Sequence, residues 1–277
     1  MMLFVYGTLL KHQPRNHELP VTSYRGYAFL PKVLLYDLGD YPGIVTASLS
    51  EVDDFVVGEL YEVDNNIISK VDSIEGYTYC DENSSLYLCK KVNVYNSYGK
   101  EVSAYTYYFN MPLNDAVLIQ HGDYRRYLLE RSDDEYSWIA AYGSNMDYSR
   151  LQERVGDAIK IKRGYIPGYA LRFNKIAKSG QEVFANICFS IGDQCPCVLY
   201  LLTKKQINEL DKWEGVPEHY IRITVPVLFD GNDDEKIVQV YIAHPLKIDE
   251  DTSLKPLPTY LEHIKKGYTQ NGFDISF

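Results

Sequence analysis

The sequence predicts an α+β fold made of two tandem copies of one domain, each a mixed, barrel-like β-sheet with few helices. Three observations carry this. The 277-residue chain matches itself at offsets of 136 to 139, a period too long for a solenoid repeat and right for a domain. Strand-like segments outnumber helical ones in each half, and no helix recurs after every strand as a doubly wound sheet requires. A helical pattern within residues 121–137 gives way between the halves to the polar run Arg131 to Glu135.

The matches fall in order along the chain. Tyr6-Gly7 answers Tyr142-Gly143, and Arg25-Gly26-Tyr27 answers Arg163-Gly164-Tyr165. Leu60-Tyr61 answers Leu199-Tyr200, Asp72 answers Asp211, and Glu75-Gly76 answers Glu214-Gly215, while Tyr105 is set against Tyr241. The boundary is placed near residue 133, giving domains 1–133 and 134–277. Each copy opens on an apolar strand, Leu3 to Tyr6 or Trp138 to Tyr142. Further strands are expected near 26–36, 54–63, 86–95 and 101–109, then near 165–174, 183–190, 197–202, 219–229 and 236–243. The clear helix of each copy is 65–77 or 204–216. Ile68, Val71 and Ile74, like Ile207, Leu210 and Trp213, recur at the three-residue spacing of one buried face, and Gly76 or Gly215 ends the helix.

Composition narrows the function. Hydrophobic residues make up 45% and charged residues 24%, a globular balance, and no apolar run approaches the ~20 residues of a membrane span. MMLFVYGTLL reads as a first strand rather than a signal peptide, so the cytoplasm is the expected compartment. A net charge of −10 without a basic stripe argues against nucleic acid or an anionic membrane as partner. A small molecule or another protein is the expected partner. The five cysteines and six histidines show no metal-ligand spacing, so no dedicated metal site is expected.

Two features bear chemistry. After each first strand comes a turn, Tyr6-Gly7-Thr8-Leu9 or Tyr142-Gly143-Ser144-Asn145, whose backbone N–H groups could hold an anion; the alternative is a tight turn that merely needs glycine. At the end of each helix sits Glu75 or Glu214. The helix C-terminus carries partial negative charge, so a carboxylate there is disfavoured by roughly 0.3–1 kcal/mol. A solvated surface glutamate is the alternative, but both copies keep the residue while most of their neighbours differ. Dipole and partial burial raise its pKa towards what a proton shuttle needs, which makes each a candidate general base. Tyr105 and Tyr220 are further candidates to line the pockets, with tyrosine packed on a strand as the equal alternative. No catalytic triad, GxSxG or P-loop accompanies them, so the substrate is expected to bring its own nucleophile.

The strand-YGTL turn with IEGY, and the strand-YGSN turn with LDKWEGV, resemble the gamma-glutamylcyclotransferase family, once per copy over nearly the whole chain. VYGTL and DYPG are similar to its gamma-glutamylamine branch. The resemblance implies that the Y-G-x-x turn binds a substrate's glutamyl moiety, through Tyr6, Gly7, Thr8 and Leu9 and through Tyr142, Gly143, Ser144 and Asn145. It also implies that Glu75 and Glu214 accept the proton. The implied reaction is cyclisation of gamma-glutamyl amines or dipeptides to 5-oxoproline without a cofactor. A non-catalytic protein that binds gamma-glutamyl or carboxylate ligands, with one or both copies inactive, is the second expectation.

Overall fold

The computed structural model describes residues 1–47, 55–132, 134–232 and 234–275. The chain divides into two compact units, Met1–Leu128 and Leu129–Phe277; the expected boundary near residue 133 falls on a residue outside the described ones.

In the first unit the order is β1 (Met2–Val5), β2 (Tyr24–Pro31), β3 (Val33–Asp37), β4 (Pro42–Thr46), β5 (Phe55–Glu62), α1 (Asn65–Ile74), β6 (Tyr87–Asn96), β7 (Glu101–Phe109), β8 (Val117–Leu118) and α2 (Tyr124–Arg131), which runs across the division. Strands β1, β5, β2, β6 and β7 close into a barrel, and β4, β3 and β8 form a small sheet. The barrel is mixed: β1 runs antiparallel to β5 and parallel to β7. Leu3, Phe4 and Val5 of β1 are buried together, so both faces of that strand are covered. Tyr27, Phe29, Leu60 and Tyr61 are also fully enclosed.

The second unit repeats the plan with longer strands: β9 (Tyr136–Ala141), α3 (Tyr148–Val155), β10 (Lys160–Ile176), β11 (Val183–Thr203), α4 (Lys204–Glu214), β12 (Tyr220–Phe229), β13 (Glu235–Ala243) and α5 (Pro258–Gln270). Its closed barrel follows the order β10-β11-β9-β13-β12. The two strands expected at 183–190 and 197–202 are one continuous strand, β11, and Ile191 and Gly192 within it are exposed. Helices α3 and α5 add to the single helix expected in this copy.

Strand register checks the internal repeat. Leu3 pairs with Tyr61 and Ile139 with Tyr200, as the Leu60-Tyr61 and Leu199-Tyr200 match requires. The Arg-Gly-Tyr match slips by two residues. A register shift between Tyr24 and Tyr27 brings Ala28, not Gly26, to the place of Gly164, since Ala28 faces Asn96 and Gly164 faces Phe229. Gly26 lies in that irregularity with φ +94°.

Both glutamate-bearing helices are locally encoded. Asp64 caps α1 by accepting from Ile67 N–H, and Thr203 with Gln206 forms a capping box on α4. Glu75 is the C-cap of α1 and Glu214 the last residue of α4, each followed by a left-handed glycine, Gly76 or Gly215.

Candidate active site

In the first unit the turn after β1 is fixed from three sides. The Tyr6 hydroxyl donates to the Tyr107 carbonyl at 2.6 Å, and the Leu10 amide closes the turn on the Gly7 carbonyl at 3.0 Å. Behind it, the buried Glu59 accepts from the Lys11 amide, the Tyr61 hydroxyl and Arg125, at 2.9, 2.9 and 2.7 Å. The amides of Thr8 and Leu9 make no hydrogen bond among the described residues. They remain available as donors.

The turn opens onto a cavity of about 480 Å³ whose wall includes Gly7, Thr8, Arg15, Tyr41, Glu75 and Tyr87, within the roughly 300–1,000 Å³ of ordinary small-molecule sites. Glu75 is partly exposed, and its carboxylate has no hydrogen-bond or ion-pair partner among the described residues. Burial pushes its pKa up to about 7, against a smaller opposing pull from Arg15. The helix bearing it is tied to the barrel by the Tyr107 hydroxyl, which donates to Asp72 Oδ1 at 2.7 Å. Asp72 lies three residues before Glu75, on the same side of α1. The Tyr87 hydroxyl donates to the Pro42 carbonyl at 2.6 Å on the opposite wall.

The second unit repeats these supports. Tyr142 donates to the Tyr241 carbonyl at 2.6 Å, Tyr241 to Asp211 Oδ1 at 2.7 Å, and Tyr220 to the Ala185 carbonyl at 2.9 Å. Tyr87 and Tyr107 are therefore the counterparts of Tyr220 and Tyr241. The sequence reading set Tyr105 against Tyr241 instead. Tyr105 lies on β7 opposite Leu3, while Ile139, which matches Leu3, is opposite Gln239. Tyr105 thus corresponds to Gln239 and is not in the cavity wall; Tyr107, two residues further along the strand, is. Tyr87 was missed, although Tyr87-Leu-Cys set against Tyr220-Ile-Arg carries the same tyrosine at strand entry.

Around the second glutamate the geometry differs. Asn145 Nδ2 and Arg154 Nη1 both donate to Glu214 Oε1 at 2.8 Å, and Arg154 also donates to Asn145 Oδ1 at 2.9 Å. Leu9, the matching turn residue of the first copy, can supply no such bond. The enclosed cavity at the turn holds about 40 Å³, space for a few water molecules, and a larger cleft of about 340 Å³ borders Ser144, Glu214, Tyr220 and Tyr260. Tyr260 of α5 stands against the turn: its hydroxyl accepts from the Ala185 amide at 3.1 Å and lies 3.4 Å from where a Cβ on Gly143 would stand. Neither Arg154 nor Tyr260 was found from the sequence. The signal for α5 is Pro258 followed by Leu261, Ile264 and Tyr268 at helical spacing.

Among the described residues no cluster of three or more His, Cys, Asp or Glu could hold a metal ion, and no helix is long and apolar enough to cross a membrane. One closed barrel per unit, a donor-rich turn after its first strand and a glutamate at a helix end recur in both halves of the chain. The chain is similar to YkqA from Bacillus subtilis, with a TM-score of 0.74 and 23% identity over 97% of this chain and 91% of that one. It is 27% identical over 153 residues to the gamma-glutamylcyclotransferase of Bos taurus, covering 53% of this chain and 78% of that protein. A family model described as gamma-glutamyl cyclotransferase, AIG2-like, matches twice, over residues 3–126 and 139–261. The chain belongs to the gamma-glutamyl cyclotransferase, AIG2-like family, in two tandem copies.

Proposed function

We propose that the first unit is a gamma-glutamylcyclotransferase and that Glu75 is its general acid and base. One observation carries this reading: an unpaired carboxyl with a pKa near 7 faces the donor-rich turn across a cavity large enough for a substrate. The α-amine of a gamma-glutamyl group gives its proton to Glu75 and attacks its own γ-carbonyl. The N–C bond closes a five-membered lactam, and the amide bond to the leaving amine breaks as Glu75 returns the proton. The products are 5-oxoproline and the free amine. Attack within one molecule needs the substrate folded rather than a second reactant bound, and holding that shape can remove several kcal/mol of the barrier. Thr8 and Leu9 amides are placed to meet the developing oxyanion, and Arg15 to meet a substrate carboxylate. The five cysteines form no disulfide among the described residues, which suits a reducing compartment such as the cytoplasm.

For the second unit a different observation favours a non-catalytic reading. Tyr260 stands against its turn, and Oε1 of Glu214 is engaged by both Arg154 and Asn145. The test is release of 5-oxoproline from a panel of gamma-glutamyl amines and dipeptides by the parent, Glu75→Gln, Glu214→Gln and the double variant. Glu75→Gln is expected to lower kcat by about 10²–10⁴-fold, and Glu214→Gln to change it less than about twofold. Equal losses in the two single variants would assign catalysis to both units; unchanged turnover in the double variant would remove both glutamates from the mechanism.

A further inference from the structure

Beside Glu214 the second unit has a cleft of about 340 Å³ that also borders Ser144, Tyr220 and Tyr260 of its candidate site, so a ligand held there rests on the non-catalytic reading of this unit. Five cations line it, Arg150, Arg154, Lys175, Lys178 and Lys212, against one carboxylate, Glu214, which Arg154 already neutralises. That concentration stands out in a chain of net charge −10. Lys175 lies deepest, 3% exposed. Its ammonium is 5.2 Å from the ring centres of both Phe184 and Tyr220 and 3.4 Å from His219 Nδ1. No carboxylate is ion-paired with it among the described residues. Burial pushes its pKa down to about 8. The Nε of Arg150 is likewise buried without a hydrogen-bond partner. Glu214 is near enough to act on both cations but is ion-paired with neither, and buried cations without a direct partner are costly unless an anion completes them.

We propose that this cleft binds a small polyanion, an organic molecule carrying at least two carboxylate or phosphate groups. Lys175 and His219 mark a deep position for one oxyanion. Arg150 and Arg154 present guanidinium forks to a second, which suits the planar geometry of either group. The exposed Lys178 strengthens the attracting field, whereas Lys212 is ion-paired with Glu209 at 2.6 Å. The site is separate from the cavity at Glu75 and does not depend on the activity assigned there.

The experiment is calorimetric titration of the intact chain with pyrophosphate, citrate and acetate, with emission of Trp213 followed in parallel. Trp213 is 57% exposed at the cleft, and the Arg154 guanidinium is 5.4 Å from its ring centre. Pyrophosphate or citrate should bind at least tenfold more tightly than acetate, the tighter of the two identifying the preferred oxyanion. Lys175→Met should weaken that binding at least tenfold and Arg150→Gln several-fold, whereas Lys205→Gln on the exposed face of α4 should leave it unchanged. Without ligand, Lys175→Met should melt no lower than the parent, because it removes a buried charge, but it should lose the rise in Tm that the anion gives the parent. Should Lys175→Met fail to fold, Arg150→Gln carries the comparison alone. Absence of saturable binding by either polyanion, or equal binding by Lys175→Met and Lys205→Gln, overturns the proposal.

Discussion

Arg154 Nη1 lies 2.8 Å from Glu214 Oε1 with both side chains only 14% exposed, while Glu75 at the matching position has no cation within ion-pair distance among the described residues. The same helix end thus carries a tied carboxylate in one unit and an untied one in the other. Removing the tie should cost stability but not turnover. Arg154→Met leaves a mostly buried carboxylate with Asn145 as its remaining partner, and the second unit should lose about 1–3 kcal/mol. Urea unfolding followed through Trp213 measures this, and 5-oxoproline release should stay within about twofold of the parent.

Glu75 should give the enzyme a pH profile with a defined sign. Proton abstraction needs the carboxylate, so kcat/KM should fall as pH drops through about 7. Stability should move the other way. The folded pKa of about 7 exceeds the ordinary value of 4.5, so the folded state binds more protons between those values and unfolding becomes easier as pH rises through that window. The loss is about 3 kcal/mol at most for the full shift. Glu75→Gln should flatten both curves, and near pH 8 it should unfold at higher urea than the parent. A parent profile without an inflection between pH 6 and 8 would place the proton transfer on another group.

The same contrast shows what was legible in the sequence. The Glu75-Gly76 and Glu214-Gly215 helix ends are local features, written in apolar spacing and a terminal glycine, and they stand where expected. Tyr105 was chosen over Tyr107 because alternation gives the face of a strand and not its register. Register at β7 is set by its parallel pairing with β1 across the whole domain, which no local pattern records. Arg154 escaped because self-comparison finds only what both copies share. It lies on α3, and the corresponding residues after Leu9 form turns and a short 3-10 segment, Asn16–Glu18. The divergence between the units, which decides what each does, is thus the part that an internal repeat hides.

Tyr107 should matter through Asp72 rather than by touching substrate. Its hydroxyl holds the side chain three residues before Glu75, so Tyr107→Phe removes one bond to a carboxylate, worth roughly 1.5–3 kcal/mol. The end of α1 should then sample other positions and kcat should fall about tenfold with KM little altered, because positioning is lost while the turn remains intact. Tyr105→Phe, at the residue outside the cavity wall, should leave both constants unchanged. Steady-state kinetics on the two variants separates these roles.

Gly7 tests whether the turn must approach the opposite wall closely. A Cβ at Gly7 would stand 2.6 Å from Pro42 Cγ and 3.1 Å from its Cδ. Pro42 cannot swing aside as a flexible side chain would, because its ring is fixed to the backbone. Its carbonyl is also held by the Tyr87 hydroxyl. The strain must therefore move either the turn or the start of β4, and both border the cavity. Gly7→Ala should destabilise the first unit by about 1–3 kcal/mol and depress kcat/KM by more than tenfold. Gly143→Ala is the control: there the contacts are Ala185 Cβ at 3.1 Å and the Tyr260 hydroxyl at 3.4 Å. The end of a tyrosine side chain can shift where a proline ring cannot, so Gly143→Ala should cost less stability and leave 5-oxoproline release at the parent rate. Chemical denaturation and the release assay on both variants decide the matter, and parent-like turnover in Gly7→Ala would show that the turn does not contact the substrate.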